Sequence, residues 1–271
     1  MAGSAPTSTL EGWRVTPFTG GGLTHDVYEK GDGPGVVLIP EVPGMTPEVL
    51  GLAEHLVQSG FTVAVPSPFG TPEKPATTGY TLRVISRLCV SAEFRAFATD
   101  AHRPITDFLR AVAADLASRT PASGVGVIGM CFTGGFALAT AVDGSVLAAV
   151  MSQPAVPFPL GKARSADPGL SQGELQTVID RTSSDGLCVM GLRFSEDASV
   201  SPLRFAGLKA RLGDAFEVIQ LDSSAGNPDG FPKGAHSVLT SEVRVEPPNA
   251  AFDARARVVE FLRAQLATPA G

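Results

Sequence analysis

Short apolar runs alternate along this chain with stretches whose apolar residues recur at helical spacing. The runs at 36–39, 61–65, 125–130, 146–151, 187–192 and 216–221 read as strands, bounded by Gly, Pro or polar residues. Between them, helices are expected at 47–58, 96–118, 136–142, 174–181 and 202–212, with a terminal helix at 250–267. The first of these has clear punctuation: Thr46-Pro47 opens it and Gly60 follows its end. Residues 66–79, rich in Pro, Gly and Thr, and 152–168, with four prolines, read as loops. Buried runs alternating with helices predict an α/β fold, with a mostly parallel sheet covered on both faces. There is no internal repeat or linker, so one domain over 1–271 is expected, with about ten loose residues at its start.

Composition narrows the class. The chain has 271 residues, 44% of them hydrophobic, and a net charge of −6. These values exclude a disordered polymer and allow a sizeable core. A pI of 5.2 argues against a nucleic-acid partner. A small cationic pocket for an anionic substrate stays open. Three Cys form no disulfide framework and suit a reducing compartment. The first residues lack a basic segment followed by an apolar one, and no apolar run approaches the ~18 residues that cross a bilayer. A cytoplasmic protein without a membrane partner is expected; oligomeric state is not legible.

The sharpest local feature is residues 127–135, Val-Ile-Gly-Met-Cys-Phe-Thr-Gly-Gly. A buried strand ends, Cys131 follows, and small residues open a helix. A nucleophile needs such a sharp turn at a strand's carboxyl end, where free N–H groups favour a thiolate and an oxyanion. The N–H of Phe132 would be one oxyanion donor. A free Cys is more commonly a small buried hydrophobe, the reading that suits Cys89 and Cys188; the strand–turn–helix setting separates Cys131 from them. The glycines at 124, 126 and 129 also match a dinucleotide-binding pattern, but they lie within the strand rather than after it.

A nucleophile needs a base and an orienting acid. His236, in Gly-Ala-His-Ser, lies after the last strand, where the histidine of a nucleophile–acid–histidine order falls. His25 and His102 lie away from strand ends, and His55 sits within a helix. After the strand at 187–192, Asp197 is the better acid and Glu196 the alternative. Glu41 follows the first strand directly, among Pro40, Val42 and Pro43. Burial there would raise its pKa and let it exchange a proton with Cys131.

These residues together resemble the dienelactone hydrolase family, cysteine-dependent members of the α/β-hydrolase fold, over roughly residues 35–265. The elements are Glu41 with Gly44, the elbow from Gly129 to Gly135, Asp197 with Val200, and Gly234-Ala235-His236-Ser237. The resemblance implies a Cys131–His236–Asp197 triad, with Glu41 taking the thiol proton. It also implies an oxyanion hole from the N–H groups of Phe132 and Val42, and no metal or organic cofactor. Two positions depart from the pattern. Thr133 stands where the elbow usually has Gly. Thr240 stands where family members that cleave dienelactone carry an arginine clamping the substrate carboxylate. A replacement anion contact is expected from Arg83, Arg87 or Arg95, with Arg95 preferred because Phe94, Ala96 and Phe97 surround its stem.

The expected function is hydrolysis of a small-molecule lactone or ester. The alternatives are hydrolysis of another activated carbonyl, such as a thioester or enol ester, and a catalytically weak thiol-based binding or redox module.

Overall fold

The structure, a computed structural model, describes residues 4–267. Eight strands form one sheet. In chain order they are β1 (Arg14–Gly20), β2 (Leu23–Lys30), β3 (Gly35–Ile39), β4 (Thr62–Pro66), β5 (Val125–Met130), β6 (Val146–Ser152), β7 (Cys188–Phe194) and β8 (Phe216–Leu221). Their spatial order is β1-β2-β4-β3-β5-β6-β7-β8. The pairs β1–β2 and β2–β4 are antiparallel, and every other pair is parallel. The helices are α1 (Pro47–Gln58), α2 (Thr78–Val90), α3 (Pro104–Arg119), α4 (Gly134–Thr140), α5 (Lys162–Ala166), α6 (Gln172–Ser184), α7 (Pro202–Leu212) and α8 (Ala250–Gln265).

Strand alternation splits the core between the two faces of the sheet. Val37, Ile39 and Val127 pack with α3, α4 and α7 on one face. Val36, Leu38, Ile128 and Met130 pack with α1 and α8 on the other. The central strands are therefore apolar at nearly every position, as a sheet buried on both faces requires.

Several boundaries differ from the sequence expectation, each for a local reason. The hairpin of β1 and β2 escapes the search for apolar runs because β1 is largely exposed and the half-buried β2 carries Thr24, His25, Asp26, Glu29 and Lys30. Its signal was the Gly20-Gly21-Gly22 turn between two alternating segments. The helix expected from residue 96 starts at Pro104. Proline is tolerated in a helix's first turn but would break an interior hydrogen bond. Residues 91–103 instead form a loop in which Arg95 and Asp100 take left-handed conformations. Helix α2 fills part of the region before it, α5 lies inside the proline-rich loop, and α8 ends at Gln265.

The stretch read as loose is tied down from residue 8: Ser8 N donates to Pro47 O at 3.0 Å, and Leu10 N to a Glu73 carboxylate oxygen at 2.9 Å. Residues 1–3 of that stretch, and 268–271 at the far end, lie outside the described residues.

The register aligns the carboxyl ends of the central strands. Ile39 pairs with Gly129, Met130 with Ser152, and Ser152 with Leu192. Residues just beyond β3, β5, β6 and β7 thus emerge at one edge, where parallel sheets keep their sites.

Candidate active site

Cys131 is the first residue after β5 and has φ +54°. A non-glycine residue in the left-handed region is strained and persists only where its surroundings enforce it. The enforcement here is visible. The Thr133 hydroxyl accepts from Met130 N at 3.1 Å and lies 2.9 Å from Met130 O. It is also 3.1 Å from Pro40 O and 3.3 Å from Ile39 O. The branched side chain at the unusual elbow position therefore stitches the ends of β3 and β5 together, with its one proton shared among three carbonyls. Gly129 is needed below it, since a Cβ there would lie 2.4 Å from Thr133 O. Ala155 N donates to Cys131 O at 2.9 Å and closes the turn from the other side.

Thr133→Val keeps the shape but leaves the buried Met130 N–H without this acceptor. The expected cost is ~1–3 kcal/mol, because an unpaired buried polar group loses its solvation uncompensated. Thr133→Ser keeps the hydroxyl and should melt much closer to the parent. Calorimetry of the two variants checks this.

His236 lies in the loop after β8, and its Nδ1 donates to Asp197 Oδ2 at 2.6 Å. Asp197 is buried, whereas the neighbouring Glu196 is exposed and contributes its backbone N–H to Ser223. Of the two candidate acids, Asp197 is the one bonded to the ring. Burial opposes a charged imidazole, but the Cys131 sulfur and the Asp197 carboxylate outweigh it and push the His236 pKa up to about 11. Burial alone would raise Asp197; the contacts from His236 and Ser199 instead hold it below the usual carboxylate value. The site thus favours an imidazolium held between a carboxylate and a sulfur. Cys131 is half-buried.

Glu41 is buried at the end of β3. Its Oε2 accepts from Ser237 Oγ at 2.9 Å and Gln153 Nε2 at 3.1 Å, and its Oε1 accepts from the Thr240 hydroxyl. Burial pushes its pKa up, and these neutral donors together with the positive field of His236 only partly offset that. Thr240, read from sequence as a missing arginine, is a fully buried partner of this carboxyl. Gly44 completes the turn: its N donates to Glu41 O at 2.7 Å, and at φ +127° a Cβ would press within 2.8 Å of Phe69 O.

Phe132 N lies at the start of a single helical turn, Cys131–Thr133, where N–H groups have no intrahelical acceptor. Val42 follows Glu41 and packs, partly buried, against the same core cluster as Cys131.

Arg95, expected to hold a substrate anion, is exposed and donates from Nη1 to His102 O at 3.1 Å. It sits in the loop ahead of Pro104 rather than beside the helix expected there, so its side chain turns to the loop's own backbone. Arg83, Arg87 and Lys74 instead line a cavity of about 460 Å³ floored by Phe69 and Phe94. Phe94 also packs edge-on against Phe132, with ring centres 5.8 Å apart. A cleft of about 560 Å³ lies farther off, beside α6. Neither cavity has Cys131 in its wall. Among the described residues no three His, Cys, Asp or Glu side chains converge as metal ligands, and no helix is long and apolar enough to cross a membrane.

The family model of the dienelactone hydrolases matches residues 24–266. The chain belongs to the dienelactone hydrolase family. No curated protein matches it. Among solved structures, a protein of Klebsiella pneumoniae subsp. pneumoniae assigned as a candidate dienelactone hydrolase superposes with a TM-score of 0.61 at 18% identity, covering 93% of this chain and 98% of its own. The dienelactone hydrolase-like promiscuous phosphotriesterase P91, from metagenomic libraries, gives 0.60 at 16% identity, covering 97% and 99%. The dienelactone hydrolase of Anabaena variabilis gives 0.58 at 14%, covering 94% and 98%. At such identities these neighbours bear on the fold alone, which is that of the α/β hydrolases.

Two residues of this family member's site were missed in the sequence. Ser199 had a signal, since a serine two residues after an Asp commonly closes a turn on it. Gln153 had none: it sits in a proline-rich loop, and only the fold carries it to Glu41.

Proposed function

We propose that this protein hydrolyses a lactone or ester through Cys131, His236 and Asp197. The observation that carries this reading is the 2.6 Å contact of His236 Nδ1 with Asp197, on a ring whose charged form the Cys131 sulfur also favours. In this mechanism the Cys131 thiolate attacks the carbonyl carbon, and the N–H groups of Phe132 and Val42 receive the oxyanion. The tetrahedral intermediate collapses to a thioester as His236 gives its proton to the departing alkoxide. Water then attacks the thioester and passes a proton back to His236, and the thiolate leaves. Asp197 stays ionised throughout and holds the imidazole's orientation.

Glu41 is assigned the uptake of a proton from the thiol. Its burial and raised proton affinity support this, and Oε1, which accepts from Thr240 alone, keeps a lone pair for the proton. For a substrate carrying an anionic group, the candidates are Arg95, whose Nη1 donates to His102 O, and Arg83 and Arg87, which share a cavity with Lys74. A free nucleophilic thiol suits a reducing compartment such as the cytoplasm.

The test is to mix the protein with a panel of lactones, aryl esters and thioesters, quench, and weigh the intact protein. A transient acyl adduct on Cys131 that turns over is the expected result. A stable, stoichiometric adduct without turnover would instead favour the thiol-based binding module.

A further inference from the structure

Ser199 touches both the acid and the imidazole. Its Oγ lies 2.6 Å from Asp197 Oδ1, and its backbone N donates to the same oxygen at 2.9 Å. The same Oγ lies 3.1 Å from His236 Nδ1, and Asp197 Oδ2 lies 2.6 Å from that nitrogen. Proton accounting fixes the roles. A serine hydroxyl has one proton, and a carboxylate oxygen at 2.6 Å is the stronger acceptor, so the proton points at Asp197. The hydroxyl's lone pair then faces Nδ1. An unprotonated Nδ1 would confront this lone pair and the Asp197 carboxylate together, so both hold the proton on Nδ1. The other ring nitrogen is left to exchange a proton at the nucleophile.

We propose that Ser199 is a positioning residue of the catalytic relay, a role that rests on the function proposed above. Its hydroxyl locks the rotation of the Asp197 carboxylate and shares the Nδ1 proton of His236. It also donates to the ionised acid, which keeps Asp197 from binding a proton as the ring cycles between its charge states. The competing role is a simple turn: the Ser199 N–H contact with Asp197 is the ordinary closure of an Asp-x-Ser loop. The two roles differ in what they predict. The turn depends on the backbone N–H, which Ser199→Ala preserves. The relay depends on the hydroxyl, which Ser199→Ala removes and Ser199→Thr restores.

The experiment has two arms. In the first, kcat and the pH profile of kcat/KM are measured for an ester that the parent turns over. With the hydroxyl gone, kcat should fall about 10- to 50-fold, as for loss of a hydrogen bond to a charged group. The acid limb should move to higher pH, because a carboxylate that loses a donor binds protons more readily. Ser199→Thr should recover most of both. In the second arm, proton NMR of the unliganded protein follows the far-downfield His236 Nδ1 proton, which should move in Ser199→Ala and return in Ser199→Thr. A Ser199→Ala protein with kcat within twofold of the parent and an unmoved acid limb overturns the proposal, whatever its melting temperature. If Cys131→Ala still hydrolyses the ester, the functional reading fails instead. The NMR arm then decides the contact alone, a displaced resonance supporting it and an unmoved one overturning it.

Discussion

Replacing Cys131 with alanine will lower kcat for the best ester or lactone by about 10⁵- to 10⁶-fold, the scale seen when the nucleophile of a comparable triad is removed. The hydroxyls beside the site already donate elsewhere, Ser237 and Thr240 to Glu41 and Ser199 to Asp197. The fold should persist, because the residue is half-buried and alanine removes only the sulfur. A second readout is independent of turnover. Cys131 is one of the groups raising the His236 pKa to about 11, so in the alanine variant the ring should titrate at a clearly lower pH. Titration of the His236 ring resonances by NMR checks this. Retained turnover by Cys131→Ala would remove the thiol from the mechanism altogether.

Asp197→Asn is expected to have the next largest effect. The amide can present its N–H₂ to Nδ1 and so favour the wrong tautomer; the same change in a serine triad lowers kcat by about 10⁴. Stability should change with a characteristic pH dependence. The folded-state pKa of His236 is raised, so its contribution is fully present below the ordinary histidine value of 6.5 and fades as pH rises toward about 11. The folded-state pKa of Asp197 is lowered, so its contribution is present above the ordinary value of 3.8 and is lost as pH falls through the folded value. The melting-temperature gap between parent and Asp197→Asn should therefore be widest at mildly acidic pH and close toward both extremes. A gap that widens steadily into alkali would contradict the assigned ion pair. Melting curves across the pH range decide it.

The two changes probe different parts of one arrangement, and they should not add. Both act on the protonated imidazole, one through its sulfur neighbour and one through its carboxylate neighbour. Residues that work as a unit lose most of their effect with the first deletion. The double variant should be little worse than Cys131→Ala alone.

Much of this was legible in the chain itself. The six runs became β3 to β8: the inner strands are apolar at nearly every position because both their faces are buried, whereas β8, at the edge, alternates buried with exposed positions. Thr46-Pro47 opened α1 where its capping chemistry predicts, with the Thr46 side chain accepting from Val49 N. Cys131 was recognisable because a cysteine between a strand and a run of small residues has few structural reasons to be there. Less local features were poorly written. The β1–β2 hairpin carries little apolar signal because β1 is largely exposed at the sheet edge and β2 is rich in polar residues. The start of α3 was misplaced because the apolar spacing ran on through Phe94 and Phe97, whereas Pro104 decides where the helix begins.

Local signals in the chain were enough for the parallel core of the sheet, for the turn that carries Cys131, and for the order in which Cys131, Asp197 and His236 follow one another. These depend on short-range periodicity and turn chemistry, which act within a few residues. Their partners were set by the folded arrangement. Asp197 rather than Glu196 meets His236 because the chain after β7 buries one and exposes the other. Thr240 and Gln153 meet at Glu41 although 199 and 112 residues of chain separate them from it, brought there by the alignment of strand ends at one edge. Arg95 donates to the carbonyl of His102, a contact within its own loop. Hydrogen bonds between residues so distant leave no periodic trace, because their geometry is set by how the sheet stacks its strands and not by what lies beside them in the chain.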